Sequence, residues 1–172
     1  MLKGFQTEAL YFLLDLFGSL KIRLYFCNQM TRINSNISVQ SLTDEHLLAE
    51  HREIKRLPYC LKEAIRSGSI NHIPDKFTLG KGHVLFFVNK QKFLKNRYIE
   101  LYNECIKRGF NVTNYLDNWN GILIEHCNDY QATDVDIQLI RDRISFRIIN
   151  SNKKCWHYNN KQITKEQAIQ LL

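Results

Sequence analysis

Residues 91–108, QKFLKNRYIELYNECIKR, decide the fold of this chain. Their apolar side chains recur at the spacing of one helical face, and the basic residues near the start, Arg97 among them, fall largely outside that face. Gly109 follows at once, and glycine often ends a helix. The stretch therefore predicts a long amphipathic helix that packs on a core. Its apolar stripe comprises Phe93, Leu94, Tyr98, Leu101, Cys105 and Ile106.

A second long helix is predicted upstream. Thr43 and the acidic residues after it are a typical helix start, and the helical pattern continues to Arg56. Pro58 either kinks this helix or starts its continuation over residues 59–66, after which a Ser-Gly pair ends it.

Residues 134–149 predict the third long helix, with isoleucines facing inward, and a short helix follows from Lys165. Residues 68–82 contain proline and glycine and indicate a loop. Residues 83–88, HVLFFV, fit either a buried strand or an apolar segment that leads into a helix, because periodicity does not separate the two. The sequence as a whole predicts a mainly α protein, a single compact domain of three long helices with loops.

The charge of the chain indicates a polyanionic partner. Its 172 residues carry 24 Lys and Arg against 17 Asp and Glu, a net charge of +7. Residues 1–30 contribute three basic and two acidic side chains, so residues 31–172 alone carry +6. A small domain this basic is typical of nucleic-acid binding and, less often, of binding to a membrane surface.

The cysteines and histidines do not form a metal-binding pattern. Five widely spaced cysteines without a CxxC pair indicate free thiols in a reducing, intracellular compartment. His46 and His51 are five residues apart and would point to different sides of a helix. We therefore expect no metal and no cofactor. The cysteines are Cys27, Cys60, Cys105, Cys127 and Cys155.

Residues 1–30 resemble neither a membrane span nor a signal peptide. The apolar run at 10–14 is interrupted by Asp15 and falls well short of the roughly 20 residues that a span needs. Small residues suited to a cleavage site are missing near Cys27. The segment is either an additional amphipathic helix or a stretch that is rarely or never translated, and no membrane partner is expected.

Two groups of residues have the chemical character of a site. Glu53 lies among Arg52 and Arg56, and such a cluster is either a solvated helix face with charge pairing or a carboxylate poised for chemistry. The tail mixes bases with aromatic residues at Trp156 and Tyr158, which fits a stacking platform for nucleic-acid bases or a core anchor equally well.

Four ordered blocks of sequence resemble the pyrimidine-dimer DNA glycosylase/AP lyase family, which includes phage endonuclease V. The similarity runs strongly from Met30 to Asn111, weakly on to Arg143, and returns in the tail at 155–163, CWHYNNKQI. The blocks are MTRIN at 30–34, HLLAEHREIKR at 46–56, LGKGHVLFF at 79–87 and FLKNRYIELYNECIKRGFN at 93–111.

The resemblance implies a fold and a reaction. Members are single helical domains, here expected to be monomeric, that bind double-stranded DNA containing pyrimidine dimers or abasic sites. They cleave the glycosidic bond of the 5′ pyrimidine of a UV-induced cyclobutane dimer and then break the strand by β-elimination. Their nucleophile is the α-amine of a threonine exposed by removal of the initiator methionine, which corresponds here to Thr31. The catalytic carboxylate corresponds to Glu53.

The sequence departs from the family pattern at three positions: Glu45 stands in place of a glutamine, His51 in place of a tyrosine and Asn160 in place of a glycine. Asparagine can also adopt the left-handed conformation that glycine would supply.

The resemblance also implies contacts with DNA. The residues expected to bind DNA are Arg32, His46, Arg52, Arg56, Arg141, Arg143, Trp156, Tyr158 and Lys161.

Met30 matches the start of the family, so the chain is expected to divide into an extension at 1–30 and a glycosylase/AP lyase domain at 31–172. With the extension attached, the nitrogen of Thr31 is a peptide amide and cannot form an imine. The rival interpretation is a catalytically inactive module that binds damaged DNA with the extension retained. A different glycosylase specificity on the same scaffold is a third possibility.

Overall fold

Helices dominate residues 32–172, which are the part of the chain that the computed structural model describes. The predictions for residues 1–30 and for Thr31 lie outside the described residues. The mainly α, single-domain prediction is confirmed. The helices are α1 (Asp44–Ile54), α2 (Leu57–Arg66), α3 (His83–Phe87), α4 (Gln91–Lys107), α5 (Asp134–Ile149) and α6 (Lys165–Gln170), and a hairpin of β1 (Trp156–Tyr158) and β2 (Lys161–Ile163) precedes α6.

Helix α4 packs along α1 and forms the centre of the core. The predicted stripe is largely buried, but Ile106 is 49% exposed and does not belong to it. Arg97 and Glu104, which lie on the same helix, are buried instead. The expectation that Arg97 lies outside the packed face is wrong, because the burial of this guanidinium is compensated by ion pairing with Glu50.

The predicted helix from Thr43 to residue 66 is two helices. Thr43 caps α1 by accepting a hydrogen bond from the His46 N–H, and α1 ends at Ile54. Pro58 lies in the first turn of α2, where its missing N–H costs no helical hydrogen bond. Residues 83–87 form the short helix α3 shortly before α4, so this apolar segment is not a strand and is itself helical.

The third predicted helix, α5, is confirmed with the same bounds. Thr133 caps it, and the side chain of Asp136 accepts a hydrogen bond from the Thr133 N–H in return. Its inward face contributes Ile140, Ile144 and Ile148 to the core, each at most 2% exposed. This face seats α5 beside the first described residues of the chain.

The two-stranded hairpin is an element that periodicity did not predict. Its turn requires left-handed backbone at two successive residues, Asn159 (φ 50°) and Asn160 (φ 62°). Asparagine tolerates this conformation, as expected for Asn160. The carboxylate of Asp44, the first residue of α1, accepts both turn N–H groups at 3.1 and 2.8 Å. Arg108 completes the anchor by pairing with Asp44 at 2.9 Å.

Three cysteines of the described residues, Cys105, Cys127 and Cys155, carry free thiols as expected. Within residues 32–172, no helix has both the length and the apolar character that crossing a membrane demands.

Candidate active site

The carboxylate of Glu53 holds the first described residue of the chain. Its Oε2 accepts a hydrogen bond from the backbone N–H of Arg32 at 2.6 Å, and its Oε1 lies 3.7 Å from Nη1 of Arg32. The Glu53 side chain is 16% exposed, so it reaches solvent at one edge. A carboxylate is thereby fixed beside the backbone nitrogen of Arg32.

Glu50 lies one helical turn earlier on the same face of α1 and is fully buried. Its Oε1 accepts from the Asn34 N–H at 2.9 Å, and its Oε2 accepts from Asn34 Nδ2 at 2.7 Å. Arg97 of α4 forms a two-pronged ion pair with the same two oxygens, at 3.0 and 3.1 Å. Its Nη1 also donates to the Ile37 carbonyl at 2.8 Å. Glu50 therefore joins α1, α4 and the N-terminal segment 32–34.

Two further polar groups of this segment, the Ile33 N–H and the side-chain oxygen of Asn34, are also bonded to side chains. The N–H of Ile33 donates to Nε2 of His83 at 3.2 Å, and Nδ1 of His83 lies 3.0 Å from the Thr78 carbonyl. A carbonyl can only accept, so Nδ1 carries the proton and the ring is neutral. Burial favours the same state by lowering the pKa of His83 to about 4. From α5, Arg143 Nη2 donates to Asn34 Oδ1 at 2.6 Å.

A cationic cleft of about 480 Å³ opens beside Arg32. The indole of Trp156 lines one part of it, and most of the charged groups around it are basic. A polyanion such as DNA suits this lining. Among residues 32–172, His, Cys, Asp and Glu side chains form no group of three or more that could hold a metal ion. The lining residues are Arg32, Glu45, His46, Leu48, Arg52, Arg147, Ser151, Lys153 and Trp156.

Burial outweighs the neighbouring cations at Glu53. Desolvation raises the pKa of its carboxyl, while the Arg32 N–H and the charges of Arg32 and Arg147 act in the opposite direction, and the net shift is upward. A raised pKa brings a carboxyl closer to accepting and returning a proton near neutrality.

His46 and Trp156 form a stacked pair at one side of the cleft. Their ring centroids are 5.0 Å apart with an interplanar angle of 9°. His46 Nδ1 bonds to the Thr43 hydroxyl at 2.9 Å, and burial lowers the pKa of the ring to about 4, so it is neutral. Trp156 is 5% exposed, with Lys153 Nζ 5.0 Å from its ring. The buried Trp156 is therefore a core anchor and not an open stacking platform for nucleic-acid bases.

The arginines predicted to bind DNA occupy different positions. Arg52 is exposed at the cleft, where its Nε donates to the Leu48 carbonyl. Arg143 is turned inward onto Asn34, and burial lowers its pKa to about 10. Arg56 and Arg141 are exposed and do not line the cleft.

The other two predicted tail residues, Tyr158 and Lys161, lie on the same hairpin as Trp156 but do not line the cleft. The Arg108 guanidinium lies 4.8 Å from the centre of the Tyr158 ring, so one face of this ring is occupied. Lys161 is exposed at the start of β2. His51, the departure from the family tyrosine, is buried against Tyr98 and Tyr102 between α1 and α4.

Sequence reasoning missed Arg147, Glu50 and His83. Arg147 lines the cleft and its charge acts on Glu53. Its position four residues after Arg143 on α5 was the available signal, since that spacing places both on one helical face. Glu50 was signalled by its three-residue spacing from Glu53, but that spacing does not reveal Arg97 as its partner.

The fold is a small helical domain, and its candidate site places a carboxylate beside a cationic cleft. These features are typical of proteins that act on a polyanion. A family model described as pyrimidine dimer DNA glycosylase matches residues 30–118, which is more than half of the chain. The chain belongs to that family, and its role is that of a DNA repair glycosylase with DNA as its substrate. The match includes Glu50 and Glu53 and ends before Arg143, Arg147 and Trp156.

The two glutamates that contact Arg97 provide a test of the buried network. Glu50→Gln is expected to lower the free energy of unfolding by about 3–5 kcal/mol, because it leaves the buried Arg97 charge uncompensated. Glu100→Gln removes a 59% exposed partner of the same guanidinium, 3.5 Å away, and is expected to cost about 0.5 kcal/mol or less. Urea unfolding followed by circular dichroism measures both. Equal losses would contradict the assignment of Glu50 as the anchor.

Proposed function

We propose that this protein excises cyclobutane pyrimidine dimers and then cleaves the strand as an AP lyase, with the α-amine of Thr31 as nucleophile and Glu53 as acid and base. The hydrogen bond from the Arg32 N–H to Glu53 carries this proposal. Successive backbone nitrogens are separated by three bonds and lie less than about 4 Å apart. Any amine at the nitrogen of residue 31 therefore lies within about 7 Å of this carboxylate.

A chain-terminal amine suits this chemistry. Its ordinary pKa of about 7.7–8.0 leaves a substantial unprotonated fraction at neutral pH, whereas a lysine at about 10.4 is almost fully protonated. Arg32, Arg52 and Arg147 surround this region with positive charge, which favours the neutral amine further. The nucleophile then requires no buried lysine.

The amine nitrogen attacks C1′ of the 5′ nucleotide and forms a C1′–N bond as the glycosidic bond breaks. The pyrimidine leaves with the bonding electrons and takes up one of the two protons of the amine nitrogen. The other proton passes from nitrogen to O4′ as the C1′–O4′ bond breaks, which opens the sugar ring and gives an imine. Glu53 accepts a proton from C2′, and the C3′–O bond breaks to release the 3′ phosphate. Hydrolysis of the imine restores the amine.

The cleft supports binding of a deformed duplex. Arg32, Arg52 and Arg147 lie where they can neutralise phosphates on either side of a kink. A dimer already weakens base stacking, which lowers the cost of bending the duplex and of displacing a base. The exposed residues Arg56, Arg141 and Lys161 extend the basic surface beyond the cleft.

The working enzyme in this proposal begins at Met30 and loses that methionine. The family match begins at residue 30, which supports a start of the domain at this position. If residues 1–30 are retained, the second candidate applies: the cleft still binds DNA, but residue 31 offers an amide in place of an amine. The protein would then be a module that binds damaged DNA without cutting it.

Replacement of Glu53 tests the catalytic carboxylate. Glu53→Gln is expected to bind a duplex with one thymine dimer as wild type does, while strand cleavage falls by a factor of about 100 or more, because the amide cannot accept the C2′ proton. Glu166→Gln, an exposed change on α6, serves as the matched control and is expected to cut normally. Wild-type nicking of dimer-containing duplex by Glu53→Gln would remove Glu53 from this role.

The extension is tested with two chains, one of residues 1–172 and one that begins at Met30 and loses it. The shorter chain is expected to nick UV-irradiated plasmid, and the longer chain to bind the plasmid without nicking it, because an amide nitrogen has a delocalised lone pair. Intact mass after the assay shows whether the longer chain was cleaved. Equal nicking by an uncleaved longer chain would exclude the Thr31 nitrogen as the nucleophile.

A further inference from the structure

Glu45 is the one acidic side chain among the described residues that line the cationic cleft. It is the second residue of α1, and its side chain is 22% exposed. A negative charge at this position opposes phosphate binding, so its presence in a DNA-binding cleft requires an explanation. Its contacts provide one.

The Glu45 carboxylate binds two basic residues of the C-terminal segment. Its Oε2 accepts the His157 N–H at 3.2 Å, and its Oε1 lies 3.1 Å from His157 Nδ1 and 3.5 Å from Lys153 Nζ. Burial of the Glu45 carboxyl favours its neutral form, but hydrogen bonds from His157 and the charge of Lys153 prevail and lower its pKa. The carboxylate is therefore ionised at neutral pH and competes with phosphate for Lys153.

Glu45 can compete with phosphate for Lys153 because the lysine is held close to the Glu45 carboxylate. Lys153 is 50% exposed and also lies over the Trp156 ring, so its ammonium group is held at the wall of the cleft. A phosphate that binds this lysine must break or share the contact with Glu45. The partly buried carboxylate is screened by salt less than a fully exposed one.

We propose that Glu45 limits the affinity of the enzyme for undamaged DNA by withholding Lys153 from the phosphates. Contacts to phosphates are independent of sequence and of damage, so they add to binding at every undamaged site that competes with a lesion. Glu45 is thus a residue that sets specificity, and it acts by repulsion and by sequestering a cation. This inference rests on the proposed function, since it requires DNA in the cleft.

Glu45→Gln tests the proposal, because the amide oxygen can still accept from His157 while the charge is lost. Affinity for an undamaged duplex, measured by fluorescence anisotropy, is expected to rise on the order of tenfold at 50 mM salt. The slope of log affinity against log salt between about 50 and 200 mM is expected to steepen by about 0.9, the value of one additional phosphate contact. Inhibition of dimer cleavage by undamaged DNA is expected to increase in parallel.

Glu125→Gln is the matched control. It also removes one negative charge beside a histidine, since Glu125 lies 3.3 Å from His126, and it is remote from the cleft lining. It is expected to leave affinity and salt slope unchanged. An equal gain in this variant would show that net charge alone is responsible and would overturn the proposal.

Lys153→Gln provides an independent test that does not require the Glu45 variant to be stable. In the otherwise wild-type chain it is expected to weaken duplex binding by less than about twofold, because Lys153 is already engaged. In the Glu45→Gln background it is expected to cancel the gain. A tenfold loss and a shallower salt slope from Lys153→Gln alone would overturn the proposal, as would unchanged or weaker binding by Glu45→Gln.

Two experimental outcomes separate the role of Glu45 from the proposed function. If the wild-type protein binds no duplex and cuts no dimer, the proposed function fails. If it binds and cuts dimer-containing DNA but Glu45→Gln behaves as wild type, only the role of Glu45 fails.

Discussion

The structure depends on a single buried carboxylate, that of Glu50. A fully buried charge costs several kcal/mol unless it is paired, and here the pairing uses Arg97 from α4 and both nitrogens of Asn34. Satisfying this charge requires three parts of the chain to meet at one point. Residues 32–34 are thereby fixed on α1, and one turn further along the helix Glu53 lies against the backbone of Arg32. The position of Glu53 beside the N-terminal segment therefore depends on the burial of Glu50.

Helix α1 also organises the other end of the chain. Its first three residues each bind the C-terminal segment: Asp44 accepts the N–H groups of the hairpin turn, Glu45 holds His157, and His46 stacks on Trp156. One helix therefore presents the candidate catalytic carboxylate near its end and part of the wall of the cationic cleft near its start. In the proposed function, this rigid element sets the relative positions of the groups that contact the duplex, and a reaction that needs precise alignment requires such positioning.

The sequence alone predicted the parts that depend on local pattern. The apolar periodicity of residues 91–108 and 134–149 located α4 and α5, and the resemblance supplied Glu53 and Thr31. The buried pair of Glu50 and Arg97 was missed because the partners are 47 residues apart and both look like surface residues of amphipathic helices. The hairpin was missed because three-residue strands are too short to show alternation. The direction of the Glu53 pKa shift depends on burial, which spacing does not reveal.

In the proposed mechanism, this scaffold presents the amine of residue 31 to the substrate. Borohydride can trap the imine on dimer-containing DNA when the protein begins at Thr31, and tandem mass spectrometry then locates the bound sugar. We expect a single adduct on the α-nitrogen of Thr31, in the N-terminal peptide. An adduct on a lysine side chain, such as that of Lys153 in the cleft, would contradict this mechanism.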